Sequence, residues 1–224
     1  MSARSPSGAS GTSPRARAAR GGAGAARRDG VTRRRRRVGV LVAVTVTVLF
    51  VLWIAPRINH AVRDLTLPLK DQDIIRTQAQ KKHLDPALVA AVIFAETKFQ
   101  PRTSPTGAEG LMQIEPATAQ FLAHLSDGYA FTLHDLGTPS INIAYGTYYL
   151  RYLLDHYHGD EMLAVAAYNG GLANVDSWVA AAQARGHALT VAEIPFVQTR
   201  AYVYRVLQAQ RDYRADYASQ LGLT

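Results

Sequence analysis

Cysteine is absent from the 224 residues, which excludes disulfides, thiolate nucleophiles and zinc–cysteine sites. Acidic residues are almost missing from the first 37 positions, where Asp29 is the single acid against 11 of the chain's 25 Lys and Arg. Large apolar side chains are scarce there too. Such a segment cannot bury enough surface to offset the entropy of ordering it, so residues 1–37 read as a disordered, Arg-rich tail. From Pro56 onward, 14 basic residues face 16 acidic ones. The net charge of +8 and the pI near 9.9 therefore belong to the tail. A near-neutral main body argues against nucleic acid as its partner. The seven histidines show no metal-ligand spacing: His156 and His158 stand two apart on a helix and face differently. No metal and no cofactor are expected.

Charge of either sign is missing from Val38 to Ala55, VGVLVAVTVTVLFVLWIA, directly after the five arginines Arg33 to Arg37. As a helix at about 1.5 Å per residue, this run reaches most of the way across a hydrocarbon core about 30 Å thick. The flanking arginines keep the N-terminus cytoplasmic and send Pro56 to Thr224 outward. Trp53 stands where an interfacial anchor belongs. A cleaved signal peptide is the competing reading, but no convincing A-x-A site follows the run, which favours an uncleaved signal anchor at residues 38–55.

Strand signals are few in the remainder, and helical periodicity dominates. Residues 56–69 read as a juxtamembrane linker and residues 70–224 as one mainly α domain with little or no sheet. Helices are expected at Asp71–His83, from Pro86 with Asp85 as N-cap, at Pro116–Leu125, at Pro139–His158, at Asp160–Tyr168 with a break at Asn169-Gly170-Gly171, at Ala173–Ala184, and at Phe196–Ser219. Leu84 and Val89 are placed as a hydrophobic staple on the second of these. Gln100–Gly110 is a loop rich in Pro, Thr, Ser and Gly, and residues 126–138 read as irregular.

One residue breaks the pattern. Val89, Val92, Ile93 and Glu96 follow the i, i+3, i+4, i+7 spacing of an apolar face, so Glu96 carries a carboxyl into the stripe. A carboxyl in such a place is either paired or holds its proton more tightly, because desolvation disfavours the charge. A protonated carboxyl near neutral pH suits proton donation to a glycosidic oxygen. The bland alternative is a solvated glutamate at a frayed helix end. The Gly-hinged loop that follows, with Ser104, Gly107, Gly110, Met112 and Gln113, is suited to bring backbone and an amide close to a ligand.

These residues form a pattern. Glu96-Thr97-x-Phe99-x-Pro101, Ser104-Pro105-x-Gly107-Ala108-x-Gly110-Leu111-Met112-Gln113 and Pro116-Ala117-Thr118-Ala119 resemble the soluble lytic transglycosylase (SLT) domain of the lysozyme-like superfamily. Further blocks follow in the family's order: Asp85-Pro86-x-Leu88-Val89 at the start, then Asn142-Ile143 with Gly146-Thr147-x-Tyr149-Leu150, Ala166-Ala167-Tyr168-Asn169-Gly170-Gly171 with Trp178, and Ile194-Pro195-Phe196-x-x-Thr199-Arg200-x-Tyr202-Val203. Several separated blocks over residues 70 to about 208 make the resemblance specific. Two positions depart from it. Thr97 replaces the family's usual Ser and keeps the hydroxyl, and Gln198 replaces a usual Glu and removes a charge.

The resemblance implies a lysozyme-like helical domain that cleaves peptidoglycan with one carboxylate. Glu96 would protonate the oxygen between N-acetylmuramic acid and N-acetylglucosamine, then act as base toward the muramic 6-hydroxyl to close a 1,6-anhydro ring. Gln113, Met112, Ser104, Tyr168, Asn169 and Tyr202 are the substrate-contact candidates. Tyr168 is a candidate both for hydrogen bonding to the catalytic carboxyl and for stacking on a sugar. Tyr145, Tyr148, Tyr149 and Tyr152 read as core packing. Glu109 and Glu115 are the second carboxylates that a lysozyme-type hydrolase would need, and a non-catalytic peptidoglycan-binding scaffold is the third reading. The partners expected are glycan strands and, through residues 38–55, the membrane; nothing in the sequence names a protein partner.

Overall fold

A computed structural model of the chain describes residues 23–125 and 132–223. The chain divides into two units, Met1–Asn59 and His60–Thr224. Helix α1, Ala23–Thr66, starts within the segment expected as tail and runs on through most of the expected linker. It carries the 18-residue span Val38–Ala55, whose mean hydropathy is 2.7 and none of which is buried. That is one helix long and apolar enough to cross a membrane. Beside its end, the Arg57 guanidinium lies 3.9 Å over the Trp53 ring.

The second unit is helical, as expected, with α2 Gln72–Lys81, α3 Pro86–Thr97, α4 Pro116–Leu125, α5 Pro139–His156, α6 Glu161–Gly170, α7 Leu172–Ala184, α8 Val197–Asp216 and α9 Ala218–Leu221. The sheet is one antiparallel pair of two-residue strands, β1 Arg102–Thr103 and β2 Glu109–Gly110. Tyr217 and Tyr213 on and after α8 donate their hydroxyls to the carbonyls of Leu67 and Pro68, so the start of this unit is tied to its last long helix.

Helix α3 is the centre. Asp85 caps it through its carboxylate and the Ala87 N–H at 3.0 Å, with Pro86 at the first helical position. Every residue from Ala87 to Ile93 is buried, so the helix has no solvent stripe; the apolar face read from spacing is only part of a helix enclosed on all sides. Twelve residues are too few for a stable isolated helix. It is held by burial of Leu88, Val89, Val92 and Ile93, each worth about 1.5–3 kcal/mol. The main partner is α8, and Phe94 and Phe99 both meet the Tyr213 ring edge-on.

Helix α2 is shorter than expected by one residue at its start and two at its end, and three other boundaries differ for a local reason. Helix α5 stops at His156, and His158 and Gly159 then turn with φ of 54° and 89°. Helix α6 continues through Asn169 and Gly170 before Gly171 breaks it at φ 85°. Glycine suits position 170 because α6 runs close to its neighbours there: a Cβ on it would lie 3.1 Å from the Thr199 side chain and 3.3 Å from the Trp178 ring. Helix α8 breaks at Tyr217, and α9 follows as a separate turn. In the stretch expected as irregular, Leu133–Gly137 forms a 3₁₀ turn boxed by Thr132 and Asp135, while residues 126–131 lie outside the described residues.

Candidate active site

The end of α3 is where the fold turns to chemistry. The helix closes on Lys98 and Phe99, both left-handed at φ 52° and 60°. The Thr97 hydroxyl donates to the Leu111 carbonyl at 2.8 Å, so the hydroxyl kept in place of serine fastens the helix end to the following loop. The β1–β2 hairpin then folds back over this end. Gly110 has φ 77°, and a Cβ on it would lie 2.3 Å from Asn142 Nδ2 and 2.6 Å from the Leu136 carbonyl oxygen; only glycine fits.

Asn142, fully buried on α5, holds the whole loop. Its Oδ1 accepts from the Met112 N–H at 2.7 Å, and its Nδ2 donates to the carbonyls of Glu109 and Leu136 at 2.8 and 3.0 Å. Gln113 follows at φ 48° and donates its amide nitrogen to the carbonyls of Arg102 and Gly110 at 2.7 and 2.9 Å. Both amide hydrogens of Gln113 are thus engaged, which leaves its side-chain oxygen as the group it can offer a ligand.

Next to this loop lies a cleft of about 340 Å³, lined among others by Glu96, Gln113, Glu115, Tyr149, Tyr168 and Asn169. Glu96 is largely buried. Tyr202, from α8 and 106 residues away in sequence, donates its hydroxyl to Glu96 Oε1 at 2.7 Å. Burial pushes the Glu96 carboxyl up to about 7, against the pull of the Tyr202 hydrogen bond and of the Arg102 and Arg205 charges, which favour the anion. Tyr202 and Tyr168 are held well above the usual phenol range, first by their own burial and then by the Glu96 charge, so both remain donors. With one oxygen taken by Tyr202, the other oxygen of Glu96 is free to present a proton to the cleft.

The raised affinity of Glu96 for its proton has a stability consequence. The folded form binds the proton more tightly than the unfolded chain, so the carboxyl's contribution is fully present below its ordinary value of 4.5. It is lost as pH rises from there through about 7. Above that range the buried anion costs about 3 kcal/mol. Glu96→Gln keeps the acceptor for Tyr202 and removes the charge. It is expected to raise the melting temperature at pH 8–9 and to leave it nearly unchanged near pH 4, which differential scanning calorimetry at the two pH values would check.

The residues expected at the site separate into three groups. Glu96, Gln113, Tyr168 and Asn169 line the cleft; the Asn169 Oδ1 accepts from the Thr199 hydroxyl at 2.9 Å. Two residues exchange parts: Tyr202 holds the carboxyl, and Tyr168 instead donates to the Met112 carbonyl at 2.9 Å. Tyr202 is nearly fully buried beneath Glu96 and positions it rather than facing the cleft. Met112 and Ser104 are not among the residues that line the cleft. Met112 is completely buried with its side chain seated against Gly146, so its apolar character serves the core. The Ser104 hydroxyl accepts from the Ala108 N–H at 2.9 Å and closes the hairpin.

Tyr149, read from the sequence as core, also lines the cleft, as does Thr118. It packs against the core with part of its ring and lines the cleft with the rest, 5.3 Å from the Tyr168 ring. Its place two residues after Thr147, in one of the resembling blocks, was the available signal. Of the two alternative carboxylates, Glu109 accepts from the Thr103 hydroxyl across the hairpin, whereas Glu115 lines the cleft. Gln198 is exposed near the start of α8.

Residues 73–191 match the family described as the Transglycosylase SLT domain. The chain is 34% identical over 151 residues to the soluble lytic murein transglycosylase of Escherichia coli K12, covering 66% of this chain and 23% of that protein. It is 40% identical over 107 residues to a transglycosylase of Enterobacteria phage PRD1, covering 47% of this chain and 36% of that one. Among solved structures, the 70 kDa soluble lytic transglycosylase of Escherichia coli superposes with a TM-score of 0.63 at 29% identity, over 68% of this chain and 25% of that one. An inactive glutamate-to-glutamine variant of the lytic transglycosylase Slt from Pseudomonas aeruginosa gives the same score and coverage at 27% identity. The chain thus spans about a quarter of the length of its cellular relatives. With the family match running over more than half of its length, the chain belongs to the transglycosylase SLT domain family.

Proposed function

We propose that this protein is a membrane-anchored peptidoglycan lytic transglycosylase in which Glu96 serves first as acid and then as base. The observation that carries the reading is a largely buried carboxyl, held by Tyr202 and facing a cleft, with its proton retained up to about pH 7. Glu96 gives its proton to the oxygen leaving with N-acetylglucosamine as the bond to C1 of N-acetylmuramic acid breaks. The substrate's acetamido oxygen stabilises the cationic centre. The Glu96 carboxylate then takes the proton of the muramic 6-hydroxyl as its oxygen bonds to C1, restoring the acid and consuming no water. The nucleophile is already part of the substrate, and that proximity removes the need to hold a water and a second carboxylate in place.

The Gln113 side-chain oxygen and the Asn169 amide, both on the cleft wall, suit the acetamido groups of the sugars. Relatives named murein transglycosylases and the inactive glutamate-to-glutamine variant of a structural neighbour support the same chemistry. Residues 38–55 span the membrane, with Arg33 to Arg37 on the cytoplasmic side and Trp53 with Arg57 at the outer interface.

Glu115, on the wall of the same cleft, keeps a hydrolytic reading in view. Mass spectrometry of muropeptides released by the full chain in mild detergent separates the two. Products ending in 1,6-anhydro rings, lighter by one water than reducing ends and absent with Glu96→Gln, are the expected result. Reducing ends that disappear with Glu115→Gln would mean hydrolysis. Binding without release by the wild type would make the domain a scaffold.

A further inference from the structure

The cleft wall continues past Thr118 and Tyr149. Both line the cleft, Thr118 from α4 and Tyr149 from α5. Three residues further along each helix, and so one turn on along the same face, stand Phe121 and Tyr152. Their rings meet edge-on with centroids 5.3 Å apart and planes at 76°. Tyr152 in turn stacks on Tyr149 at 6.4 Å and 12°, and Tyr149 lies 5.3 Å from Tyr168. An unbroken aromatic row therefore runs from the carboxyl's own cleft to the surface. Core packing accounts for its inner members, since Tyr149, Tyr152 and Tyr168 all pack on the buried cluster. It does not account for Phe121, which is 39% exposed while its helix buries Ala119 and Leu122 on the other side.

We propose that Phe121, supported from behind by Tyr152, is an outer subsite that stacks on a sugar ring of the glycan strand where the strand leaves the cleft. This rests on the proposed function, because continuity with the Glu96 cleft is what names the occupant. The chemistry fits a pyranose: one face of the ring presents C–H groups, which an aromatic face covers without needing charge, and an aromatic contact of this kind is worth about a two- to tenfold gain in affinity. Phe121 is separated from Glu96 by the intervening tyrosines, so the subsite grips long strands and leaves the chemical step alone. Long strands are thereby held more firmly than fragments too short to reach both places.

The test compares full-length Phe121→Ala with wild type on peptide-free glycan strands and on a tetrasaccharide of the same sugars. KM for the long strands is expected to rise about fivefold, with kcat unchanged and KM for the tetrasaccharide unchanged. Phe121→Tyr keeps the ring and is expected to behave as wild type; Phe121→Leu keeps the apolar bulk without the ring and is expected to follow Phe121→Ala. Equal KM values for Phe121→Ala and wild type on long strands overturn the subsite, as does an equal rise on both substrates. A defect seen only with peptide-bearing strands overturns it in favour of a stem-peptide contact. If Phe121→Ala loses its melting transition, the Tyr and Leu variants decide: equal KM for these two overturns the ring's role. A wild type that neither binds nor cuts either glycan overturns the proposed function, and this subsite with it.

Discussion

Glu96→Gln is expected to lower kcat on peptidoglycan by about a thousandfold or more, with KM changed little. General acid–base catalysis typically contributes 10²- to 10⁴-fold, and in the proposed mechanism one group fills both parts. A thousandfold loss corresponds to about 4 kcal/mol of barrier. The variant should fold as well as the wild type, since its oxygen still accepts from Tyr202 and the charge that strains the buried site is gone. Lost activity together with raised stability at alkaline pH is a pair of results that simple misfolding cannot produce. The pH profile adds a sign. In the proposed mechanism the reaction begins from protonated Glu96, so kcat should fall as pH rises through about 7. The Tyr202 hydrogen bond favours the anion, so Tyr202→Phe should let the carboxyl hold its proton to higher pH and move that alkaline limb upward. A variant that keeps more than a tenth of wild-type kcat, or a Tyr202→Phe limb that moves to lower pH, would remove Glu96 from the acid role.

Asn142→Ala is expected to be the most damaging substitution outside the chemistry. Its fully buried side chain makes three hydrogen bonds, and removing it strands the Met112 N–H and the Leu136 carbonyl, while the Glu109 carbonyl keeps the Ile114 N–H. Each buried polar group left without a partner costs about 1–3 kcal/mol, so a loss of about 2–6 kcal/mol follows for the two, or roughly 10 °C in melting temperature for a unit of this size. The loss falls on the loop that carries Gln113, so kcat/KM should drop more than global unfolding accounts for at 25 °C. Calorimetry combined with turnover of soluble glycan strands measures both effects, and a melting shift under about 3 °C would show that the loop is held by something other than Asn142.

The order and type of the helices, the apolar span and the unusual carboxyl at Glu96 were legible from the sequence because each rests on near neighbours. A cap at Asp85 with Pro86 needs only the next three residues, and 18 uncharged residues after five arginines need no fold at all. Glu96 stood out because a carboxyl on an apolar face is costly wherever the rest of the chain lies. Spacing could not show that α3 is enclosed on every side, since an apolar stripe and an all-round apolar helix agree on the same few positions.

What only the tertiary structure decided was which groups meet across long separations. Met112 and Ser104 carry the right residue types for ligand contact, yet the core takes one and the hairpin the other. Tyr168 and Tyr202 are chemically equal as phenols; α8 running along α3 brings Tyr202 to the carboxyl, while the loop pinned by Asn142 presents the Met112 carbonyl to Tyr168. Helix period placed Tyr149 on the same face as Tyr152, but whether that face met protein or a cleft depended on how α4 and α6 were set beside it. Local spacing fixes a side chain's direction on its own helix. The partner it finds depends on how separate helices pack, and that is settled only when the core closes.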